Sequence, residues 1–148
     1  MVDKNAFLIE LSESDRTDFG KRDFADQSPV QQVFSTIWAL EAEVNNGGFH
    51  QYFLNCDGDT ANFAPIALKQ IGAIKCAAIV ENALRTVSTS PLPDDWTERQ
   101  SLLLELGDEL CDRLSPLDQA FYEYPDNLTD LLFDFISKHP EEFGPTPE

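Results

Sequence analysis

Positive charge is scarce in this sequence: 10 lysines and arginines stand against 27 aspartates and glutamates, for a formal charge of −17 over 148 residues. Nucleic acid and anionic membranes repel such a chain at long range, which argues against direct binding to either and makes a basic macromolecular partner the natural expectation. Cysteine is sparse too. Cys56, Cys76 and Cys111 are odd in number and widely spaced, fitting neither a CxxC clamp nor a paired disulfide framework, so they read as reduced, partly buried thiols. Long apolar runs are missing. Met1 to Asn5 meets only Ala6-Phe7-Leu8-Ile9 before Glu10, too short for a signal-peptide core or a membrane span, and a cytoplasmic protein is expected. The sequence also lacks a P-loop, a GxGxxG string and a GxSxG string, and its serines show no pairing with either histidine. No enzyme class gains support, and neither cofactor nor metal is expected.

What is present is a core. Hydrophobic residues make up 42% of the chain and include 11 phenylalanines, far too apolar for a disordered acidic tail. A chain of this length folds as one domain and buries roughly 70% of its unfolded surface. The charge is uneven. Residues 1–27 hold 7 acids and 4 bases, residues 28–90 hold 5 and 3, and residues 91–148 hold 15 and 3, so the last segment carries −12 of the −17. Because that segment keeps regular apolar positions, it reads as a folded acidic face, with the middle of the chain as scaffold.

The apolar spacing is helical throughout. Ser28-Pro29 gives an N-cap with proline at the first helical position, and Val30, Val33, Phe34, Ile37, Trp38 and Val44 follow at three-to-four-residue steps, predicting a helix over 29–45. Gly47-Gly48 stops it, and Phe49 to Asn55 forms another short helix. A helix through Ile66, Leu68 and Ile71 requires Pro65 in its first turn, and Gly72 separates it from a helix over 73–87 with Ile74, Ala77, Ala78, Leu84 and Val87 on one face. Thr97 and Gln100 resemble a capping box opening a helix to about Leu114. Ser115-Pro116 then starts the next, and Pro125-Asp126-Asn127 a last one ended by Pro140. An all-α, compact single-domain bundle of about six to eight helices is expected, with the poorly readable residues 1–27, which include a break at Phe19-Gly20, packing on an acidic helical domain of 28–148.

Two groups of side chains carry possible chemistry. His50 lies near Asp57 and Asp59 in sequence, which suggests a small metal-dependent enzyme as an alternative. A structural role for His50 in a turn or core competes with it, because His139 is far away and a metal set with recognisable spacing is missing. Residues 55–60 resemble a calcium loop only until Phe53 falls at the first ligand position and Ala64 at the twelfth. The acids make the sharper case. On a helix over 97–114, Glu98, Glu105, Glu109 and Asp112 lie within about 60° of one another, opposite Leu103, Leu106, Leu110 and Leu114. Asp108 lies in the same stretch, and Asp126, Asp130 and Asp134 repeat the device at i,i+4 spacing in the last helix. Like charges at that spacing oppose helix formation, so these eight acids are the candidate partner-binding residues. Solubility alone is the competing explanation for them.

The string Glu43-Val44-Asn45-Asn46-Gly47-Gly48-Phe49-His50-Gln51-Tyr52-Phe53-Leu54-Asn55 resembles the signature of the bacterial DNA-mimic protein family. The likeness continues through Gly58-Asp59, Ile71-Gly72-Ala73 and Leu117-Asp118-Gln119-Ala120-Phe121-Tyr122, covering about residues 30–143. It implies a helical homodimer that offers carboxylates in place of DNA phosphates and occupies the DNA-binding surface of a basic DNA-binding protein such as a transcription factor. The signature residues Asn45, Asn46, Gly47, Gly48, Phe49, Gln51, Tyr52 and Phe53 are turn glycines, amides and aromatics, so they read as structural; none of the eight acids belongs to the string. The same anionic face would also suit an immunity or antitoxin protein that inhibits a basic nuclease. Phe133, about 20° from Asp126 on a helical wheel, is expected to be exposed unless a second copy or residues 1–27 cover it.

Overall fold

The computed structural model describes residues 3–13 and 23–144, apart from the side chains of Cys56 and Asp57. The expected break at Phe19-Gly20 lies outside the described residues. The rest is an all-α domain of helices α1 (Lys4–Glu13), α2 (Pro29–Leu54), α3 (Ala64–Gln70), α4 (Ile74–Val87), α5 (Trp96–Leu106), α6 (Glu109–Tyr122), α7 (Leu128–Ser137) and α8 (Pro140–Phe143). Short 3-10 turns occupy Phe24–Asp26 and Cys56–Thr60, and no strand occurs among the described residues.

Helix α2 is the central element. Ser28 caps it through a full capping box with Gln31, and Pro29 sits where its missing N–H costs no hydrogen bond. Val33, Phe34, Ile37, Leu40 and Val44 are buried along its length, and α3, α6 and the second 3-10 turn pack around it. Helix α4 closes the core against α3 and α6 through Cys76, Ala77, Val80, Ala83 and Val87; Ile74 and Ala78, expected on the same inner face, point outward. Pro65 lies in the first turn of α3, as the sequence demands.

Four further expectations need correction. The helix over 97–114 is broken: Gly107 adopts φ 70 and ends α5, so Glu98 and Glu105 share one helix while Glu109 and Asp112 lie on the next. Leu103, Leu110 and Leu114 are nevertheless buried on both sides of the bend, because each short helix turns its own apolar face to the core. Ser115-Pro116 starts no helix. Pro116 lies inside α6, where the continuous inner run Leu110, Leu114, Leu117 and Phe121 outweighs the lost backbone hydrogen bond. The N-cap of α5 is Asp95, whose carboxylate accepts from Glu98 N–H at 3.0 Å, and Thr97 is exposed within the helix. Asp126 precedes α7, whose N-cap is Asn127, so the three aspartates of that region do not share one helix.

Phe133 is 8% exposed, covered from within the chain. Helix α1 lies on α7, with Phe7 edge-on to the Phe133 ring at 5.7 Å and Lys4 over the same ring while bonded to Asp130 at 3.2 Å. The covering falls to residues 1–27 of the same molecule, and Phe133 therefore gives no reason for a dimer.

Candidate functional site

The signature string folds as a pinned kink. Gly47 (φ −159) and Gly48 (φ 80, ψ −177) interrupt the helical backbone of α2 and redirect the chain into a second arm from Phe49 to Leu54. The first peptide N–H of that arm needs an acceptor. Asp118 on α6 supplies it, its Oδ1 accepting from Phe49 N–H at 2.8 Å. A Cβ at Gly48 would lie 2.6 Å from Asp118 Oδ2, so glycine is required both by the positive φ and by the carboxylate's approach. A Cβ at Gly47 would meet first the side chain of Gln51, whose far end can move. Phe49 packs edge-on against Phe121, the Tyr122 hydroxyl donates to the Val44 carbonyl at 3.0 Å, and Asn45 Nδ2 donates to the Tyr124 hydroxyl at 2.7 Å. That hydroxyl in turn donates to Glu41 Oε1 at 3.1 Å, and Tyr124 holds the left-handed backbone conformation (φ 48) that places it there. Two stretches about 70 residues apart, 43–55 and 117–122, thus form one interlocked structure. Tyr52 and Phe53 are buried in it, Gln51 is half-buried, and Asn46 is exposed.

Burial sets the acid–base character of this region. It raises the Asp118 carboxyl above the ordinary aspartate value, against the opposing pull of Phe49 N–H and the nearby His50. Burial likewise raises Glu41, with the Tyr124 hydroxyl opposing, and pushes the Cys76 thiol up to about 11. Cys76 is buried and Cys111 exposed.

Sequence reasoning missed Arg99. Its side chain is 0% exposed and gathers the carbonyl oxygens of Phe53, Asn55, Pro93 and Asp94, with Asp59 at 2.9 Å. A guanidinium fits there because the end of α2 leaves carbonyls unpaired and carries partial negative charge. The close approach requires Gly58, since a Cβ at that position would lie 2.5 Å from the Tyr52 carbonyl oxygen. One signal was present: a lone arginine in the first turn of a helix, where a cation is disfavoured, set among acids.

The eight candidate acids divide. Glu98, Glu105, Asp108, Glu109 and Asp112 are exposed along α5, the bend and α6, and Asp134 is exposed on α7. Among the described residues none of these six has a cation within ion-pair distance. The other two are committed within the fold. Asp126 Oδ2 accepts from Cys76 N–H at 2.8 Å and so caps α4, while Asp130 pairs with Lys4 and bonds the Asn127 side chain. Asp59, one member of the alternative metal set, is committed to Arg99, and the Asp57 side chain lies outside the described residues. No group of three or more His, Cys, Asp and Glu residues converges as a cation site among the described residues. No helix there is long and apolar enough to cross a membrane.

Among curated proteins and among solved structures, nothing matches the chain. A family model does match, that of the DMP19-like protein, over residues 25–139. The matched stretch holds the kink, the Asp118 pin, the Arg99 anchor and all eight acids, and it agrees with the resemblance carried by the signature string. The chain belongs to the DMP19-like protein family.

Proposed function

We propose that the chain acts in the cytoplasm as a DNA mimic, offering the carboxylates of α5 and α6 to a basic DNA-binding protein and blocking that protein's DNA site by occupancy, without catalysis. The observation that supports this most is where the cations go. Of the three bases in residues 91–148, Arg99 is sealed in the core, which leaves Arg113 and Lys138 on the surface against the exposed Glu98, Glu105, Asp108, Glu109, Asp112 and Asp134. Elsewhere Lys69 and Arg85 both pair with Glu81, and Lys4 with Asp130. The face is therefore more anionic than the sequence count implies.

DNA presents one charge per about 1.7 Å of axis, and helices of 11 and 14 residues extend about 16 and 21 Å. Carboxylates at this density reproduce part of that field. Each contact with a partner lysine or arginine would be weak and screened, and the effect would be collective. The family resemblance also implies a homodimer, which light scattering tests directly.

To test the function, proteins retained from host lysate by the immobilised chain are eluted with duplex DNA. The mimic reading expects a retained basic protein released by DNA and by salt, and not retained after Glu105→Gln, Glu109→Gln and Asp112→Asn together. A retained nuclease whose cleavage is inhibited would shift the reading to an immunity protein. Retention indifferent to salt, DNA and the triple substitution would refute mimicry.

A further inference from the structure

The anionic face contains a feature that phosphate imitation does not require. Between the second arm of α2 and the α5–α6 bend lies an open groove of about 220 Å³, lined by Leu54, Leu103 and Leu104 with His50, Asp108 and Cys111. Its walls are set by the fold. Trp96 Nε1 donates to the Leu54 carbonyl at 2.7 Å and ties the start of α5 to the end of α2, while Gly107, with nothing within 4 Å of where a Cβ would be, leaves the bend open. Leu103 is buried and serves the core. Leu104 is 79% exposed, the largest exposure among the large hydrophobic residues described. An aliphatic side chain so placed adds almost nothing to folding, because the apolar surface it removes from water is small.

The surroundings select what could cover it. Glu105 follows Leu104 directly, Asp108 lines the groove, and Asp112 follows Cys111. A second copy would bring the same acids against themselves, and nucleic acid or an anionic lipid surface would be repelled. A segment that is both basic and apolar satisfies both the leucines and the carboxylates. We infer that this groove is an anchor point which receives one apolar side chain from a basic, amphipathic segment of the partner protein, with Leu104 as its main contact. The inference rests on the mimic reading and adds selectivity to it: a purely anionic surface attracts any basic protein, whereas an apolar socket inside that surface favours a partner carrying the matching side chain.

Two synthetic peptides of equal charge test it, one with lysines and leucines in a helical amphipathic pattern and one with serine at each leucine position. Their affinities are measured by fluorescence anisotropy against the native protein, Leu104→Ser, and the triple variant Glu105→Gln, Glu109→Gln, Asp112→Asn. Because Leu104 is exposed, Leu104→Ser should melt with the native protein, and a melting curve verifies it. The native protein should bind the lysine–leucine peptide at least about fivefold more tightly than the lysine–serine peptide. Leu104→Ser should abolish that preference without changing affinity for the lysine–serine peptide, and the triple variant should weaken both. Equal affinities for the native protein, or a preference that survives Leu104→Ser, would overturn the anchor. If in that case binding still falls with salt and with the triple substitution, the mimic reading stands without it. Binding indifferent to salt and to the triple substitution would remove both. Should Leu104→Ser turn a dimer into a monomer while the native protein ignores the lysine–leucine peptide, the groove is a self-interface and the inference fails.

Discussion

Carboxylates do opposite work in two neighbouring regions of this molecule. At the kink in α2, Asp118 is part-buried, directed at the Phe49 peptide N–H and close to Tyr122. On α5 and α6, Glu98, Glu105, Glu109 and Asp112 point into solvent without a cationic partner among the described residues. Removing the first kind leaves a buried donor unpaired, whereas removing the second relieves repulsion. The difference shows why a family signature and a functional surface need not coincide: positions with one geometric solution hold their residue type, while a diffuse field can be drawn from acids at many positions.

The largest loss is expected at Arg99, the buried anchor at the end of α2. Arg99→Met should destabilise the protein by about 3–5 kcal/mol in a denaturant titration, because the carbonyls of Phe53 and Asn55 at the end of α2 and of Pro93 and Asp94 before α5 lose their shared donor and Asp59 its partner. Gly48→Ala should cost about 2–3 kcal/mol through the positive φ and the Asp118 contact. Gly47→Ala, whose Cβ first meets the movable end of the Gln51 side chain at a backbone φ open to any residue, should cost less than about 1 kcal/mol. Equal losses at the two glycines would mean that the kink is not pinned by Asp118.

Asp118→Ala should follow at about 1–3 kcal/mol, for the orphaned Phe49 N–H and the lost cap. The pH dependence sharpens the same point. Asp118 and Glu41 both titrate above their ordinary values because burial disfavours their charge. Each therefore contributes stability that is fully present below the unfolded pKa, about 4, and is lost as pH rises through the raised folded value. Melting temperature should accordingly increase as pH falls from 7 toward that window, and Asp118→Asn should show a shallower increase than the native protein. An unchanged slope would place Asp118 outside the buried environment described.

Much of this was legible in the sequence, and the failures have two causes, competing local signals and partners distant in sequence. Ser28-Pro29, Pro65 and the two glycines mark local backbone constraints, which hold whatever surrounds them. Pro116 and Thr97 misled because each is a helix-start signal overruled by a stronger neighbour, the inner face of the same helix from Leu110 to Phe121 and the Asp95 cap two residues upstream, whose neighbour Trp96 is anchored on α2. The acidic face was visible as charge. Its division at Gly107 is a local glycine stop that the apolar spacing on both sides concealed, whereas the commitment of Asp126 and Asp130 to Cys76 and Lys4 depends on partners 50 and 126 residues away that no local pattern encodes. Arg99 left only the signal of a lone arginine in a helix's first turn, because half of its carbonyl partners, Phe53 and Asn55, come from the end of α2, 46 and 44 residues away.

The smallest expected effect on stability is also the most informative about function. Glu105→Gln, Glu109→Gln and Asp112→Asn together should change folding stability by no more than about 0.5 kcal/mol, since all three are exposed. The direct test is a competition titration in which a DNA duplex bound to the captured basic partner is displaced by the native protein or by the triple variant at matched melting temperature. The native protein should displace the duplex stoichiometrically, and the variant should require at least about tenfold more protein, with the gap narrowing as salt screens the face over about 8 Å at physiological ionic strength and less above it. Displacement by the variant as effective as by the native protein, or a ternary complex in which protein and duplex occupy the partner together, would contradict the account.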